Sequence, residues 1–397
     1  MPPPPTPAQT LWQSAHVAQS LDGEPVIEPK PTHGELLYGG RLIVGYDSAA
    51  IGPGSALKST GFSTYDGYLG GALQTRKSFF VVQQDAFGND YTASGLPGQY
   101  LFQTSLLAAG EWTPGRKWHI EGNSTEGDGA LLFLSPLPST PVGSGVGVLP
   151  ASADLGLDNS FAWYPTISGG MSFRLTPAAT MVMYAKESYR EVFDNNTHDN
   201  VALARPSLQF AVSNRTSIGV YGLSTRVTGE IDCRSNGGGV ELSTHFGRTG
   251  FLDAWGGPQY GSAGCIRQQG FEYHVEVAAQ VSRRVDAYLI ANRESGNTLV
   301  SGSDWEDNFA VGIKRHFARS VFLTLDAGYV NGIHLGSALN YQGTFGAVEL
   351  RKRITSSFLI SGAYRRFDNN ETSPALHRNV LLFSLVFSPA RHVGRKN

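Results

Sequence analysis

The chain has 397 residues, of which 41% are hydrophobic, 16% are charged and 11% are aromatic. Its formal net charge of −2 gives no indication of a polyanionic partner such as a nucleic acid. Its mean hydropathy of −0.18 is too low for a bundle of membrane-spanning helices, so any membrane role would have to use another architecture.

The first segment is rich in proline and has no repeating apolar pattern, so we predict a flexible tail over residues 1–33. It lacks the basic and apolar stretches of a secretory signal peptide, and we expect such a peptide to have been removed already. In an outer-membrane protein this tail would lie in the periplasm, where it could contact export or other periplasmic machinery.

From there on, apolar residues alternate with polar ones in paired segments joined by short turns. Met171, Phe173 and Leu175 occupy alternate positions, and the alternation resumes after a turn at Pro177. A period of two is that of a β-strand, and proline suits the turn between two strands. The unit recurs roughly every 35 residues, which is an internal repeat of β-hairpins.

Counting the alternating segments gives about 18 strands, with 16 as the alternative because the first 160 residues are less regular. In chain order, the predicted strands are 35–47, 61–74, 78–88, 99–111, 116–125, 159–175, 180–191, 200–212, 216–228, 238–247, 249–260, 270–281, 284–294, 306–316, 320–331, 342–352, 355–367 and 377–388.

The connections alternate between short turns and longer polar loops, which is typical of a transmembrane β-barrel. We therefore predict an all-β protein: one closed antiparallel barrel of 16–18 strands over residues 34–388, with short periplasmic turns and longer extracellular loops. The longest loop is predicted at 126–158, and residues 389–397 form a C-terminal tail. The soluble alternative is a β-propeller or β-solenoid, but a propeller blade uses four short strands per repeat and not two long ones.

The last strand supports this architecture. Leu381, Phe383, Leu385 and Phe387 alternate along it, and would close the barrel against the first strand. The segment resembles the aromatic-ended final strand of Gram-negative outer-membrane barrel proteins, although about ten residues follow it here. The resemblance implies a porin-like channel or an export barrel in an outer membrane.

No catalytic, metal or cofactor motif stands out. Gly143–Gly147 is glycine-rich but lacks the Lys-Ser/Thr of a phosphate-binding loop. Ser243 and His245 share a face of one strand, with Asp253 across the turn, yet i, i+2 side chains lie too far apart for a direct Ser–His contact. Cys233 and Cys265 have no metal-binding spacing and fall in successive loops on one side of the membrane, so we predict a disulfide between them.

Alternation also divides the side chains between lipid and lumen. The side chains predicted to face lipid are Phe173, Leu208, Phe210, Leu242, Val275, Val277, Val311, Ile313, Leu323, Leu325, Leu350, Phe383 and Leu385. The residues predicted to line the pore are Arg41, Arg174, Lys186, Arg190, Arg205, Arg226, Glu241, Ser243, His245, Asp253, Glu272, His274, Glu276, Lys314, Asp326, Glu349, Arg351 and Arg365. Acidic residues concentrate on three consecutive strands and basic residues on the strands before and after them, which would create a transverse field across the lumen. The alternative is that charges of both signs form paired networks in a wet lumen and have no role in selectivity.

The function predicted from the sequence is passage of a hydrophilic solute across a bacterial outer membrane, with membrane lipid and that solute as partners. Three alternatives remain: export of a polymer such as a polysaccharide, an outer-membrane barrel enzyme acting on lipid or peptide, and a structural or adhesive barrel with a filled lumen. The sequence does not identify the solute, because selectivity depends on the pore radius and on side-chain directions.

Overall fold

The computed structural model describes most of the chain between residues 33 and 387. The described ranges are 33–51, 57–75, 77–128, 161–193, 196–229, 232–247, 250–262, 264–265, 268–296, 304–318, 320–334, 340–355, 357–369 and 376–387. The predicted tails and nearly all of the predicted long loop lie outside these ranges.

The described residues form 18 strands, the higher of the two predicted numbers. Their bounds are β1 His33–Ile51, β2 Leu57–Gln74, β3 Ser78–Tyr91, β4 Gln99–Thr113, β5 Arg116–Asp128, β6 Phe161–Thr176, β7 Ala179–Val192, β8 Thr197–Ala211, β9 Thr216–Thr228, β10 Cys233–Phe246, β11 Gly250–Gly261, β12 Gln269–Ser282, β13 Val285–Gly296, β14 Asp304–Ala318, β15 Val321–His334, β16 Asn340–Arg353, β17 Phe358–Asn369 and β18 Leu376–Phe387. None of the described segments is a helix that could cross a membrane.

Each strand pairs antiparallel with its neighbours in sequence, and the sheet closes on itself. The closing pair is β1 with β18, in a register that runs from Gly40 opposite Phe387 to Asp47 opposite Val380. The prediction that the final strand closes against the first is therefore confirmed. A closed ring leaves no unpaired edge, which a sheet must avoid in a lipid environment.

The two ends of the barrel differ. At one end, the turns between strands are two to four residues long, as between β12 and β13. At the other end most connections are four to seven residues long, and the connection from β5 to β6 spans residues 129–160. We call these the turn end and the loop end. Several strands extend further towards the loop end than the sequence predicted, and β5 continues to Asp128 where the long loop was expected to begin at 126.

Candidate functional site

The alternation of each strand sorts its side chains between two faces of the wall. Residues paired directly across an antiparallel ladder lie on the same face, so each face can be followed round the ring. One face carries exposed large apolar side chains, including Leu42, Val220, Val240 and Phe383. The other carries many polar and charged side chains with little exposure to solvent, because side chains on a concave surface converge and cover each other. The first is the outer face, and the second lines the lumen.

The side chains predicted to face lipid all lie on the outer face. Their registers place them there on strands β6, β8, β10, β12, β14, β15, β16 and β18. A closed antiparallel barrel with an even number of strands, an apolar outer surface and short turns at one end is the architecture of bacterial outer-membrane proteins. This chain has that architecture.

Of the eighteen residues predicted to line the pore, Arg226 is placed differently. It is paired with Ala202 and Arg234, and it shares a face with the exposed side chains of Ile218 and Val220. It therefore lies on the outer face, near the loop end. The inner face of β9 carries apolar residues too, so the alternation of this strand alone did not separate the two faces.

The other seventeen lie on the inner face. These are Arg41, Arg174, Lys186, Arg190, Arg205, Glu241, Ser243, His245, Asp253, Glu272, His274, Glu276, Lys314, Asp326, Glu349, Arg351 and Arg365.

One group of inner charges is predominantly acidic. Glu241, Asp253, Glu272 and Glu276 come from β10, β11 and β12, and we call them the acidic arc. Asp253 and Glu276 are directly opposite each other in the register. Arg205 on the inner face of β8 donates a hydrogen bond of 2.7 Å from Nη2 to Oε2 of Glu241. Four carboxylates thus face one guanidinium in this part of the wall.

Two aromatic rings hold that guanidinium. The Cζ atom of Arg205 lies 4.7 Å from the ring centroid of Tyr221 and 4.5 Å from that of Trp255. On β12 next to it, His274 stacks on Trp255 with 5.9 Å between centroids and 9° between planes. Cation–π contacts of this kind stabilise and orient a cation. Sequence analysis missed both rings, although Trp255 on β11 lies two positions after Asp253, which was predicted to face inward.

A second group of inner charges lies on both sides of the seam between β1 and β18, and its positive and negative charges are equal in number. Arg41 forms an ion pair with Asp66, and Nε of Arg351 lies 2.7 Å from Oε1 of Glu349. Arg365 is 2% exposed and lies within electrostatic range of Glu349 and Asp326. We call these three arginines and three carboxylates the paired arc: Arg41, Arg351, Arg365, Asp66, Glu349 and Asp326.

The predicted opposition of acidic and basic arcs stays a prediction. The acidic arc has an excess of carboxylates, whereas the paired arc has as many acids as bases. The inner face also carries Arg174, Lys186 and Arg190 on β6 and β7, outside both arcs. In a wet lumen, the field of the acidic arc falls off over a Debye length of about 8 Å at physiological salt, so it acts on solutes that pass near this wall.

A buried ion pair joins the first and last strands. Asp47 on β1 and Arg378 on β18 are both 0% exposed. The Nε atom of Arg378 lies 3.1 and 3.0 Å from the two carboxylate oxygens of Asp47, and Nη2 lies 2.5 Å from Oδ2. The sequence analysis did not single out this pair, because 331 positions separate its members and only the ring closure brings them together.

The residues considered for catalysis do not form a hydrogen-bonded triad. Ser243 is paired directly with Asp253 across the β10–β11 hairpin, and His245 lies two residues further towards the turn. In the described part of the chain, no hydrogen bond links Ser243 to either residue. The same residues include no group of three or more His, Cys, Asp or Glu side chains placed to hold a metal ion.

Cys233 and Cys265 are joined by a disulfide, with 4.7 Å between their Cα atoms. Both are buried, and they pack with Val201 and Val227 at the loop end. The bond ties the start of β10 to the connection between β11 and β12, so these segments are held together independently of the sheet.

No protein-family profile matches the sequence, and neither does any curated protein. Solved structures of other barrels do resemble the fold. One is OccK2 (OpdF) of Pseudomonas aeruginosa, with a TM-score of 0.46, 11% identity, and coverage of 90% of this chain and 99% of that one. A BenF-like porin of Pseudomonas fluorescens Pf-5 has a TM-score of 0.45, 10% identity, and coverage of 90% and 99%. The outer membrane protein OpdK of Pseudomonas aeruginosa has a TM-score of 0.45, 8% identity, and coverage of 89% and 98%.

Proposed function

We propose that this barrel is a channel for a hydrophilic solute in a bacterial outer membrane. The observation that supports this most directly is the closed ring of 18 strands, whose outer face is apolar and whose inner face is charged. Barrels of 16–18 strands are wide enough to leave an aqueous passage. A charged inner wall suits a passage that contains water, because ionised groups in a dry interior are costly even when paired.

The acidic arc gives this channel a preference among solutes. Its four carboxylates are accompanied by one guanidinium, so the wall there attracts cations and cationic groups of larger solutes. The paired arc supplies no opposing excess of positive charge. We therefore propose a channel that passes cations more readily than anions.

Single-channel recording tests the proposal. The protein would be refolded in detergent and added to a planar bilayer in potassium chloride. We expect discrete conductance steps, and a reversal potential under a salt gradient that shows preference for potassium. Absence of steps from protein whose folding is verified by its heat-dependent gel mobility would contradict the channel, and would favour a filled barrel or an enzyme.

A further inference from the structure

Two arginines face each other on the outer surface of the barrel. Arg226 on β9 and Arg234 on β10 are direct partners in the register, and both side chains are exposed. Residues directly opposite each other on one face have Cβ atoms about 4.5–5.5 Å apart, and two like charges at that separation destabilise a sheet. An outer-face pair of cations therefore requires an explanation.

Neither arginine has a partner within the described part of the chain. Their side chains form no hydrogen bond and no ion pair there. Two other outer-face arginines near the loop end differ in this respect. Arg293 binds Asp307 through two hydrogen bonds of 2.6 and 2.7 Å, and Arg366 binds Asp368 through bonds of 2.7 and 3.1 Å.

The height of the pair on the wall places it at the edge of the apolar band. Arg226 lies ten residues beyond Thr216, where β9 begins at the turn end. The exposed Tyr260 likewise lies ten residues beyond Gly250, where β11 begins. Aromatic side chains commonly mark the membrane interface of such barrels. Next to the arginines, the Ser224 hydroxyl donates to Oδ1 of Asn236 at 2.9 Å, so polar contacts begin at this level.

The backbone that carries Arg234 is held firmly. Its N–H donates to Oγ of Ser262 at 3.2 Å, and its carbonyl accepts from the N–H of Ser262 at 2.8 Å. The neighbouring residue, Cys233, is fixed by the disulfide to Cys265. Two guanidinium groups on a rigid wall lose less entropy on binding a ligand than groups on a loose loop would.

We propose that Arg226 and Arg234 form a binding site for the phosphate of a membrane lipid in the leaflet at the loop end. A phosphate would accept hydrogen bonds from both guanidinium groups and remove the repulsion between them. The neighbouring outer-face residues Ala202, Gly222 and Gly238 are small. The acyl chains of a lipid bound at the arginines could therefore lie against this part of the outer surface. We assign the ligand to a glycolipid phosphomonoester, since its second negative charge matches two cations. The assignment requires the outer-membrane location but not an open channel.

Lipid binding to the refolded protein tests the site. Diphosphoryl lipid A would be titrated into the barrel in a non-ionic detergent and the bound lipid counted by native mass spectrometry. We expect Arg226→Gln with Arg234→Gln to weaken binding by about tenfold or more, since hydrogen bonds between charged groups are lost. Arg226→Lys with Arg234→Lys should weaken it less, because the charges remain while the bidentate geometry is lost. This second variant also provides a test if the first folds poorly.

The control is the partnered arginine at the same end of the barrel. Arg293→Gln with Asp307→Asn removes one outer-face cation together with its own carboxylate, and should leave lipid binding unchanged. Lipid A without its phosphates should bind wild type and the double glutamine variant equally weakly. Equal binding of lipid A to wild type and to the double glutamine variant would overturn the site. Equally strong, arginine-dependent binding of phosphatidylglycerol would overturn the assignment to a phosphomonoester glycolipid.

Discussion

The guanidinium of Arg205 forms its ion pair with Glu241 while it lies against the faces of Tyr221 and Trp255. Arg205 is thus the one fixed cation described among the carboxylates of the acidic arc. Its charge offsets the carboxylate of Glu241, while the carboxylate of Glu276 lies 3.9 Å from Nε2 of His274. The acidic arc and this arginine should therefore shift ion preference in opposite directions.

Removing the acids should move the channel towards anions. We expect joint replacement of Glu241 and Glu276 by Gln, with Glu272→Gln and Asp253→Asn, to shift the reversal potential towards that of chloride. Arg205→Gln should shift it the other way, because it removes the guanidinium that pairs with Glu241. The measurement is reversal potential under a gradient of potassium chloride. If conductance stays intact and neither variant changes the reversal potential, the arc has no role in selectivity.

A charge on the outer face should destabilise the barrel. Leu325 is exposed on β15 between the outward side chains of Ile313 and Val348, its direct partners on the two neighbouring strands. We expect Leu325→Arg to lower the free energy of unfolding in lipid vesicles by about 2–4 kcal/mol, the cost of arginine near the middle of the bilayer.

The matched control for that change is Asn292→Arg, which introduces the same side chain on the inner face of β13. If the lumen contains water, as the proposed channel requires, its effect on urea unfolding in vesicles should be smaller. Equal effects of the two substitutions would contradict the assignment of faces.

The buried pair of Asp47 and Arg378 should couple the first and last strands. Asp47→Asn alone leaves a buried guanidinium without its counter-charge, and should cost about 3–5 kcal/mol. Adding Arg378→Gln should recover part of that loss, so the double variant is expected to be more stable than the sum of the two single changes predicts.

Urea unfolding of all four proteins in the cycle gives the coupling energy. As a comparison, Arg366→Gln breaks an ion pair whose arginine is 54% exposed, and should cost about 1 kcal/mol or less. Strict additivity of the Asp47 and Arg378 changes would show that the pair does not hold the seam.

The disulfide should stabilise the loop end. Replacing Cys233 and Cys265 together by Ser is expected to cost about 2–4 kcal/mol, because the bond restricts the unfolded chain. Wild type treated with reductant should show the same loss in urea unfolding, while the serine variant should not respond to reductant. Quantitative alkylation of both thiols in unreduced wild type, taken from cells, would contradict the bond.

Strand positions could be predicted closely because each membrane-facing segment must alternate between lipid and water. Where that constraint weakens, the prediction was poorer. The start of β10 was predicted at 238, because Gly237, Gly238 and Gly239 give no alternation, whereas the strand begins at Cys233. Arg226 was predicted to face inward, but its register places it on the outer face.

Partners across the ring could not be predicted by alternation. Alternation gives the face on which a residue lies, but not its position along the barrel axis relative to residues of other strands. The ion pairs of Arg205 with Glu241 and of Arg378 with Asp47 depend on that position, and the second also depends on closure of the ring. The equal number of acids and bases in the paired arc could not be predicted for the same reason, since the arc brings together residues from both ends of the chain.

The most direct test of the channel uses two adjacent positions on β10. Ser243→Cys places a thiol on the inner face beside the acidic arc, and Leu242→Cys places one on the outer face. Each variant would be recorded in a planar bilayer while a charged, membrane-impermeant thiol reagent is added. If the lumen is the path of the solute, the reagent should lower single-channel conductance of the Ser243→Cys protein and leave that of Leu242→Cys unchanged. Conductance that is unaffected in the Ser243→Cys protein, although mass spectrometry shows the thiol to be modified, would contradict passage through this lumen.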